Sequence, residues 1–352
     1  MERFARARFQ VIRVNRWSLA LVLLLLLAIL LYPIGKNLPA GSSPDETIKE
    51  GVTLMNRDFS GKSEAEARTM LNEMALNMHQ PAVAAKETKD ANGISYVTPE
   101  LDGYHLDVDT TWFRLSTAKA GSRVNPATAA ELPAKSLAEF PMSVIRQGNA
   151  GKKEVALLIN VDWGELELAK MLPVFKKLGA KATFFVSGKW ANNNKDLLKK
   201  IAADGHEIAT HGYDLASGPK AMYKANKLKS DIAHSVEVIQ QITGMPVRYY
   251  APHQSEVDAD ILRTAGELKL RTVLYSLDTV DWSDSTSGDK ILTTLNKAMP
   301  GDLVLMHPKP NTARVLEQAL LRFQQKGLHP VTLSELLSPE PELPSATDEA
   351  ND

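Results

Sequence analysis

One stretch near the middle of the chain constrains the fold more than any other. It is apolar from Val155 to Ile159 and then turns abruptly polar at Asn160 and Asp162. A short apolar run that ends in polar groups is typical of a buried parallel strand with its functional side chains at the carboxyl end. Residues 165–178 follow with helical spacing, so an α/β unit is predicted, in which ligands bind beyond the strand ends. The alternative is that the two polar side chains only cap that helix.

Strand-like and helix-like patterns then alternate up to residue 337. The predicted strands are 182–186, 206–210, 247–250, 272–275 and 302–306, and the predicted helices are 192–203, 220–243, 258–269, 288–298 and 312–326. Alternation of this kind predicts a parallel sheet covered by helices. About six or seven such units would allow a closed barrel.

The N-terminus predicts a membrane anchor. Five arginines lie within residues 1–16, and residues 17–34 form an apolar run about long enough to cross a bilayer as a helix. The positive-inside rule then leaves everything after residue 36 outside the cytoplasm. A cleaved signal peptide is the alternative, for which Leu38-Pro-Ala40 is a poor cleavage site. We therefore expect a single-pass cell-membrane protein whose C-terminal domains are extracytoplasmic.

Composition changes divide the rest of the chain into further segments. These are a linker at 37–46, a small α+β domain at 47–127, a linker at 128–151, the α/β domain at 152–337 and a disordered acidic tail at 338–352. Ser63 and Glu66 predict a capping box at the start of a helix in the small domain. Its glycine and acidic-alanine pattern resembles small wall-binding modules, and a spacer without a ligand is the alternative.

Composition also excludes some functions. The chain has no cysteine, which excludes disulfides, thiol catalysis and cysteine-ligated zinc. Its formal net charge is −1, and the basic residues are not concentrated on one folded segment, so nucleic acid is not an expected partner.

The order of motifs in residues 153–337 resembles the polysaccharide deacetylase (NodB-homology) family. The segments that carry the resemblance are 178–188, 205–211, 276–282, 301–307 and 326–336. The resemblance implies a distorted (β/α) barrel in which a divalent metal, usually zinc, activates a water. That water attacks an N-acetyl group on a peptidoglycan- or chitin-like sugar. Within the family the chain looks most similar to membrane-anchored sporulation-type homologues of spore-forming bacteria.

The resemblance also implies roles for individual residues. Asp162 and His211 correspond to metal ligands, and His307 corresponds to the general acid. Asn160 lies where the catalytic base belongs. Asp278 matches an aspartate that orients an arginine, and we expect it to pair with His307 when that arginine is absent. The predicted glycan-contacting residues are Trp163, Pro252 and Trp282.

Three positions depart from the family pattern. The amide of Asn160 cannot take a proton from water near neutral pH. Leu215 lies where a second imidazole is expected one turn after His211, and Ala251 is interpreted as replacing the third-motif arginine. A catalytic zinc generally uses three protein ligands and one open position. The remaining candidates for the third ligand are Asp214, His253 and Glu165.

Two functions follow from these observations. The first is a membrane-anchored deacetylase acting on N-acetylated cell-wall glycan with an altered metal site. The second is a catalytically inactive homologue that binds glycan or a partner at the envelope, for example during sporulation. The substitutions at Asn160, Leu215 and Ala251 favour the second for the chemistry.

Overall fold

The computed structural model describes residues 47–345. Within that range no helix is both long enough and apolar enough to cross a membrane. The predicted cytoplasmic segment, anchor and first linker lie outside the described residues, as do residues 346–352 of the predicted tail. The anchor therefore stays a prediction.

The N-terminal part is a set of short strands around two helices. Its elements are β1 (Thr53–Leu54), β2 (Arg57–Asp58), α1 (Glu64–Asn77), β3 (Lys86–Lys89), β4 (Ser95–Thr98), β5 (Gly103–Leu106), α2 (Val108–Thr117), β6 (Arg123–Val124), β7 (Thr128–Glu131) and β8 (Val144–Ile145). The predicted capping box at Ser63 and Glu66 is confirmed, because each side chain binds the other residue's backbone N–H. Both helices contribute to a local core that includes Phe59, Leu71 and Leu115.

The stretch predicted as the second linker, 128–151, belongs to the packed structure. β7 pairs with β5, and β8 pairs with β4. Ile145 is fully buried, and its carbonyl accepts a hydrogen bond of 2.8 Å from the backbone N–H of Leu274. The stretch 128–151 is therefore not a flexible linker, although it contains alanines and prolines, because its apolar side chains cover the base of the following domain. The described part of the predicted tail also makes contacts, since Pro339 accepts from the Asp102 N–H.

The α/β domain alternates strands and helices as predicted. Its strands are β9 (Glu154–Val161), β10 (Thr183–Val186), β11 (Glu207–Thr210), β12 (Tyr249–Tyr250), β13 (Arg271–Thr272), β14 (Leu277–Asp278), β15 (Leu303–Met306) and β16 (His329–Val331). Its helices are α3 (Glu165–Leu178), α4 (Gly188–Asn193), α5 (Lys195–Ala203), α6 (Pro219–Lys224), α7 (Leu228–Thr243), α8 (Ala259–Glu267), α9 (Gly288–Leu295), α10 (Pro310–Gln325) and α11 (Leu333–Leu336).

These eight strands form one parallel sheet that curls into an incomplete barrel. The strand order is β13-β12-β11-β10-β9-β15-β14, and β16 also pairs with β9. Among the described residues β13 and β14 do not pair with each other, so the barrel is open there. The prediction of a distorted (β/α) barrel is confirmed, with β9 at its centre.

The central strand β9 is buried on both faces. Val155, Leu157 and Ile159 pack with the helices in an outer core. Ala156 and Leu158 pack with residues of neighbouring strands in an inner core. Because successive side chains of a strand point to opposite faces, the continuous apolar run reflects burial on both sides.

Two predicted elements differ from the structure. The helix predicted over 220–243 is divided into α6 and α7, and Asn226 between them has a left-handed φ of 54°. The strand predicted over 272–275 ends at Thr272, and Leu274 instead donates its N–H to β8. Both differences depend on long-range packing, which helical or strand periodicity does not encode.

Candidate active site

A cavity of about 490 Å³ opens at the carboxyl ends of the strands, as the α/β pattern predicted. All eight predicted site residues line it. They are Asn160, Asp162, Trp163, His211, Pro252, Asp278, Trp282 and His307. Of the three remaining candidates for a metal ligand, only His253 also lines this cavity. The roles assigned to these residues remain predictions.

Strand alternation explains why these side chains meet. Asn160 and Asp162 continue the alternate positions of β9 whose earlier members, Ala156 and Leu158, lie in the inner core. His211 lies two positions after Ala209 of β11, and His307 lies four positions after Leu303 of β15. Both therefore also continue the inner-core side of their strands. The inner face of the barrel is therefore apolar along most of its depth and polar at its mouth.

His211 is a neutral imidazole with one nitrogen already committed. Its Nδ1 lies 2.6 Å from the carbonyl oxygen of Ala251, which cannot donate, so Nδ1 carries the proton. Burial lowers the pKa of His211 to about 3, against the opposing effect of that hydrogen bond. Its Nε2 therefore presents a lone pair, and this tautomer suits a metal ligand or a hydrogen-bond acceptor.

Asp162 is held by a neighbouring strand end. Its Oδ1 accepts a hydrogen bond of 2.5 Å from the hydroxyl of Ser187, which follows β10. Within residues 47–345 no hydrogen bond or ion pair is formed by its other oxygen. One carboxylate oxygen is thus available to a ligand in the cavity.

Asp281, rather than Asp278, pairs with His307. The Asp281 side chain is fully buried, and its Oδ1 accepts from His307 Nδ1 at 2.8 Å. Its Oδ2 accepts from the His307 backbone N–H at 2.8 Å and from Thr312 Oγ1 at 2.6 Å. The expected Asp278–His307 pair is therefore wrong, because Asp281 occupies both donors of His307. Asp281 lies in the segment 276–282 that carries the family resemblance, and the sequence alone assigned it no role.

Asp278 instead stabilises the turn that carries Trp282. Its Oδ1 accepts from the backbone N–H of Val280 at 2.7 Å, and its Oδ2 lies 3.5 Å from Trp282 Nε1. Val280 has a φ of 56°, which is strained for a β-branched residue. The carboxylate of Asp278 thus helps to hold an unfavourable turn at the cavity rim.

Two exposed tryptophans flank the opening. Trp163 and Trp282 have 41% and 55% of their surface exposed. The ring of Trp163 lies nearly parallel to that of His307, with centroids 6.3 Å apart, and Lys309 Nζ lies 4.7 Å from its centroid. Exposed aromatic faces beside a polar cavity provide apolar surfaces on which a sugar ring can pack.

Comparisons with known proteins agree with this geometry. Residues 147–273 match the polysaccharide deacetylase family. A peptidoglycan-N-acetylglucosamine deacetylase of Bacillus cereus is 30% identical over 193 residues, which are 53% of this chain and 69% of that protein. The chain belongs to the polysaccharide deacetylase family.

Two further relatives of this deacetylase homologue are informative. The uncharacterized protein YlxY of Bacillus subtilis is 35% identical over 205 residues, which are 58% of this chain and 64% of that protein. A crystal structure of a CE4 family pseudoenzyme from Bacillus anthracis has a TM-score of 0.68 and 23% identity. That likeness covers 80% of this chain and 98% of the pseudoenzyme, and it supports the fold.

The arginine that the resemblance implies is absent at Tyr250, not at Ala251. In an Arg-x-Pro pattern that ends at Pro252, the arginine falls on Tyr250 rather than on Ala251. Tyr250 is buried at 1% exposure, and burial raises the pKa of its hydroxyl. A neutral, buried phenol therefore lies at the position where the resemblance implies an arginine. Ala251 contributes its backbone carbonyl to His211 instead.

The side chains present do not fit a three-ligand metal site. Among the described residues no group of three or more histidine, aspartate or glutamate side chains is arranged to hold a metal ion. The apolar side chain of Leu215 lines the cavity where a further ligand would be expected. Asp162 and His211 provide two ligand atoms, which is one fewer than a catalytic zinc generally uses.

The other candidates for the third ligand are engaged elsewhere or lie apart. Glu165 accepts from Trp190 Nε1 at 2.7 Å. Asp214 accepts from the Ala216 N–H at 3.0 Å and lies 3.6 Å from Lys189. His253 is the nearest candidate, since its ring centroid is 5.6 Å from that of His211. Burial lowers its pKa, and the neighbouring carboxylate of Asp162 opposes that change.

Proposed function

We propose that this member of the polysaccharide deacetylase family binds cell-wall glycan and catalyses little or no deacetylation. The tryptophans at the cavity mouth and the Asp281-supported His307 are suited to holding a sugar chain. The names of its relatives include peptidoglycan-N-acetylglucosamine and peptidoglycan-N-acetylmuramic acid deacetylases, which supports a peptidoglycan-type ligand. A chitin-like N-acetylated glycan has the same sugar chemistry.

This proposal depends most on Leu215 and Asn160, two side chains that line the cavity where a metal ligand and a catalytic base are expected. Leu215 provides no ligand atom, and Asn160 provides an amide where a base is expected. The Oδ1 atom of Asn160 is buried and has no hydrogen-bond partner among the described residues. Loss of a general base typically costs about two to four orders of magnitude in rate. Loss of a ligand weakens the metal site independently.

Restoring the two groups tests this interpretation. Zinc titration and acetate release from N-acetylated glycan are measured for wild type, Asn160→Asp, Leu215→His and the double variant. We expect weak zinc binding and negligible acetate release from wild type. Zinc binding should improve with Leu215→His, and acetate release should be highest in the double variant because a base and a third ligand would then act on one water.

A deacetylase with an altered metal site is the second candidate. The proximity of the His253 ring to His211 favours it, because a small movement could make His253 the third ligand. Tight binding of one zinc per wild-type chain, with acetate release that the double variant does not exceed, would support this candidate. In that case His253→Ala should abolish zinc binding, whereas Asp214→Ala should not.

We also propose that the chain is anchored in the cell membrane with residues beyond 36 outside the cytoplasm. The arginine-rich residues 1–16 and the apolar residues 17–34 support this topology. Protease added outside intact cells should digest the C-terminal domains. Protection of these domains from the protease, with cleavage only after lysis, would contradict the topology.

A further inference from the structure

The inner end of the cavity presents hydrogen-bond acceptors. Asn160 lies beside it, and its Oδ1 is buried without a partner among the described residues, so this oxygen becomes an acceptor for a ligand when the side-chain amide turns. Asp162 contributes the carboxylate oxygen that Ser187 leaves unbound. His211 contributes Nε2, since its Nδ1 donates to the backbone. All three residues line the same cavity, on the polar continuation of the inner face of the barrel.

The charge of the cavity is also one-sided. Two carboxylates, those of Asp162 and Asp278, lie among its lining residues, and within residues 47–345 no lysine or arginine lines it. Two lysines lie close outside it. Lys309 lies over Trp163 and is bound to Asp284 at 2.7 Å, and Lys189 lines an adjoining pocket with Asp162 and lies 3.6 Å from Asp214. The position of the family arginine is occupied by the neutral Tyr250. A carboxylate with a free acceptor, such as that of Asp162, favours a cationic ligand over a neutral one when no cation lines the same cavity.

We propose that this cavity recognises the primary ammonium group of a de-N-acetylated hexosamine in the glycan. This inference rests on the proposed glycan-binding function and specifies the sugar that is bound. An ammonium group has three donors and no acceptor, which matches the acceptors of Asn160, Asp162 and His211. It also supplies the positive charge that the incomplete metal site lacks.

The acetylated sugar is a poorer match to the same groups. An acetamide carries no charge, and its nitrogen has a single donor. Its carbonyl oxygen requires a donor, and at the free oxygen of Asp162 and at His211 Nε2 it would meet acceptors. The protein would therefore bind the product of a deacetylation reaction, and a deacetylase acting earlier on the same glycan must supply that ligand.

Three tetrasaccharides separate charge recognition from size. Isothermal titration of the full-length chain in detergent compares the glucosamine tetramer, the N-acetylglucosamine tetramer and cellotetraose, at a pH that keeps the amines protonated. Cellotetraose has a neutral hydroxyl in place of the amine. We expect the glucosamine tetramer to bind about tenfold or more tightly than either neutral chain, since charged hydrogen bonds contribute that much.

Asp162→Asn tests the source of the preference because it keeps the side-chain shape and removes the charge. We expect it to bring the affinity for the glucosamine tetramer close to that for cellotetraose. Asp260→Asn makes the same charge change on the surface of α8, where Asp260 forms an ion pair with its helix neighbour Arg263, and should keep the preference. If Asp162→Asn does not fold, Asp162→Ser, which also removes the charge, replaces it with the same expectation.

The outcomes distinguish this inference from the proposed function. Equal or tighter binding of the N-acetylated tetramer would overturn the ammonium site and leave glycan binding intact. Equal binding of cellotetraose would also overturn it, because exclusion of the acetyl group would then explain the result. A preference that survives Asp162→Asn would overturn the assignment to this carboxylate. Absence of binding to all three tetrasaccharides would refute glycan binding itself.

Discussion

Replacing Asp281 with alanine should destabilise the barrel more than any other single carboxylate substitution near the cavity. The side chain is fully buried and accepts three hydrogen bonds, two from His307 and one from Thr312. These bonds join the end of β15 to the first turn of α10. Without the carboxylate, the backbone N–H of His307 and the buried hydroxyl of Thr312 lose their acceptor.

The magnitude follows from those unsatisfied groups. Each buried donor without a partner costs about 1–3 kcal/mol, and the His307 ring is 15% exposed, so water can partly replace its bond. Removing one partner of a buried charged network costs about 3–5 kcal/mol in comparable cases. We therefore expect Asp281→Ala to lower the free energy of unfolding by roughly 3–5 kcal/mol.

Urea denaturation followed by tryptophan fluorescence measures this change, and a double-mutant cycle with Thr312→Val isolates the hydrogen bond. The two substitutions should be non-additive by about 1 kcal/mol or more, because they remove opposite ends of the same bond. Asp284→Ala, which removes an exposed carboxylate bound to Lys309, should leave the transition unchanged. A cost below about 1 kcal/mol for Asp281→Ala, or full additivity with Thr312→Val, would refute this account.

Two further predictions concern stability elsewhere in the chain. Burial lowers the pKa of His206 from 6.5 to about 4, so the unfolded chain binds a proton more readily than the folded one. His206 should therefore contribute a loss of stability of about 3 kcal/mol as the pH falls from above 6.5 to 4. His211, whose pKa burial also lowers, should add a further loss of similar size, so His206→Gln should remove about half of the total. A loss of the same size in the variant would exclude His206 as its source. A fragment that begins at Lys152 loses Ile145, so we expect it to melt roughly 5–10 °C below one that begins at His79. Equal melting temperatures would show that residues 79–151 do not stabilise the barrel.

Local patterns were sufficient to predict much of the architecture. The apolar run Val155–Ile159 and the helix Glu165–Leu178 are encoded by residues close in sequence, and both lie where the periodicity predicted them. The cavity was predictable for a related reason. In a parallel sheet all carboxyl ends meet at one edge, so polar residues that follow separate strands must converge there.

The pairing of those polar residues was decided by the tertiary structure alone. Asp278 and Asp281 are three positions apart, and the sequence cannot distinguish which carboxylate reaches His307. The turn at Val280 directs Asp278 to its own backbone and leaves Asp281 buried against β15 and α10. Likewise, the alanine- and proline-containing stretch 128–151 is ordered because Ile145 fills the base of the barrel. Such contacts depend on strand register and on which surface remains to be covered, and both are set by residues distant in the chain.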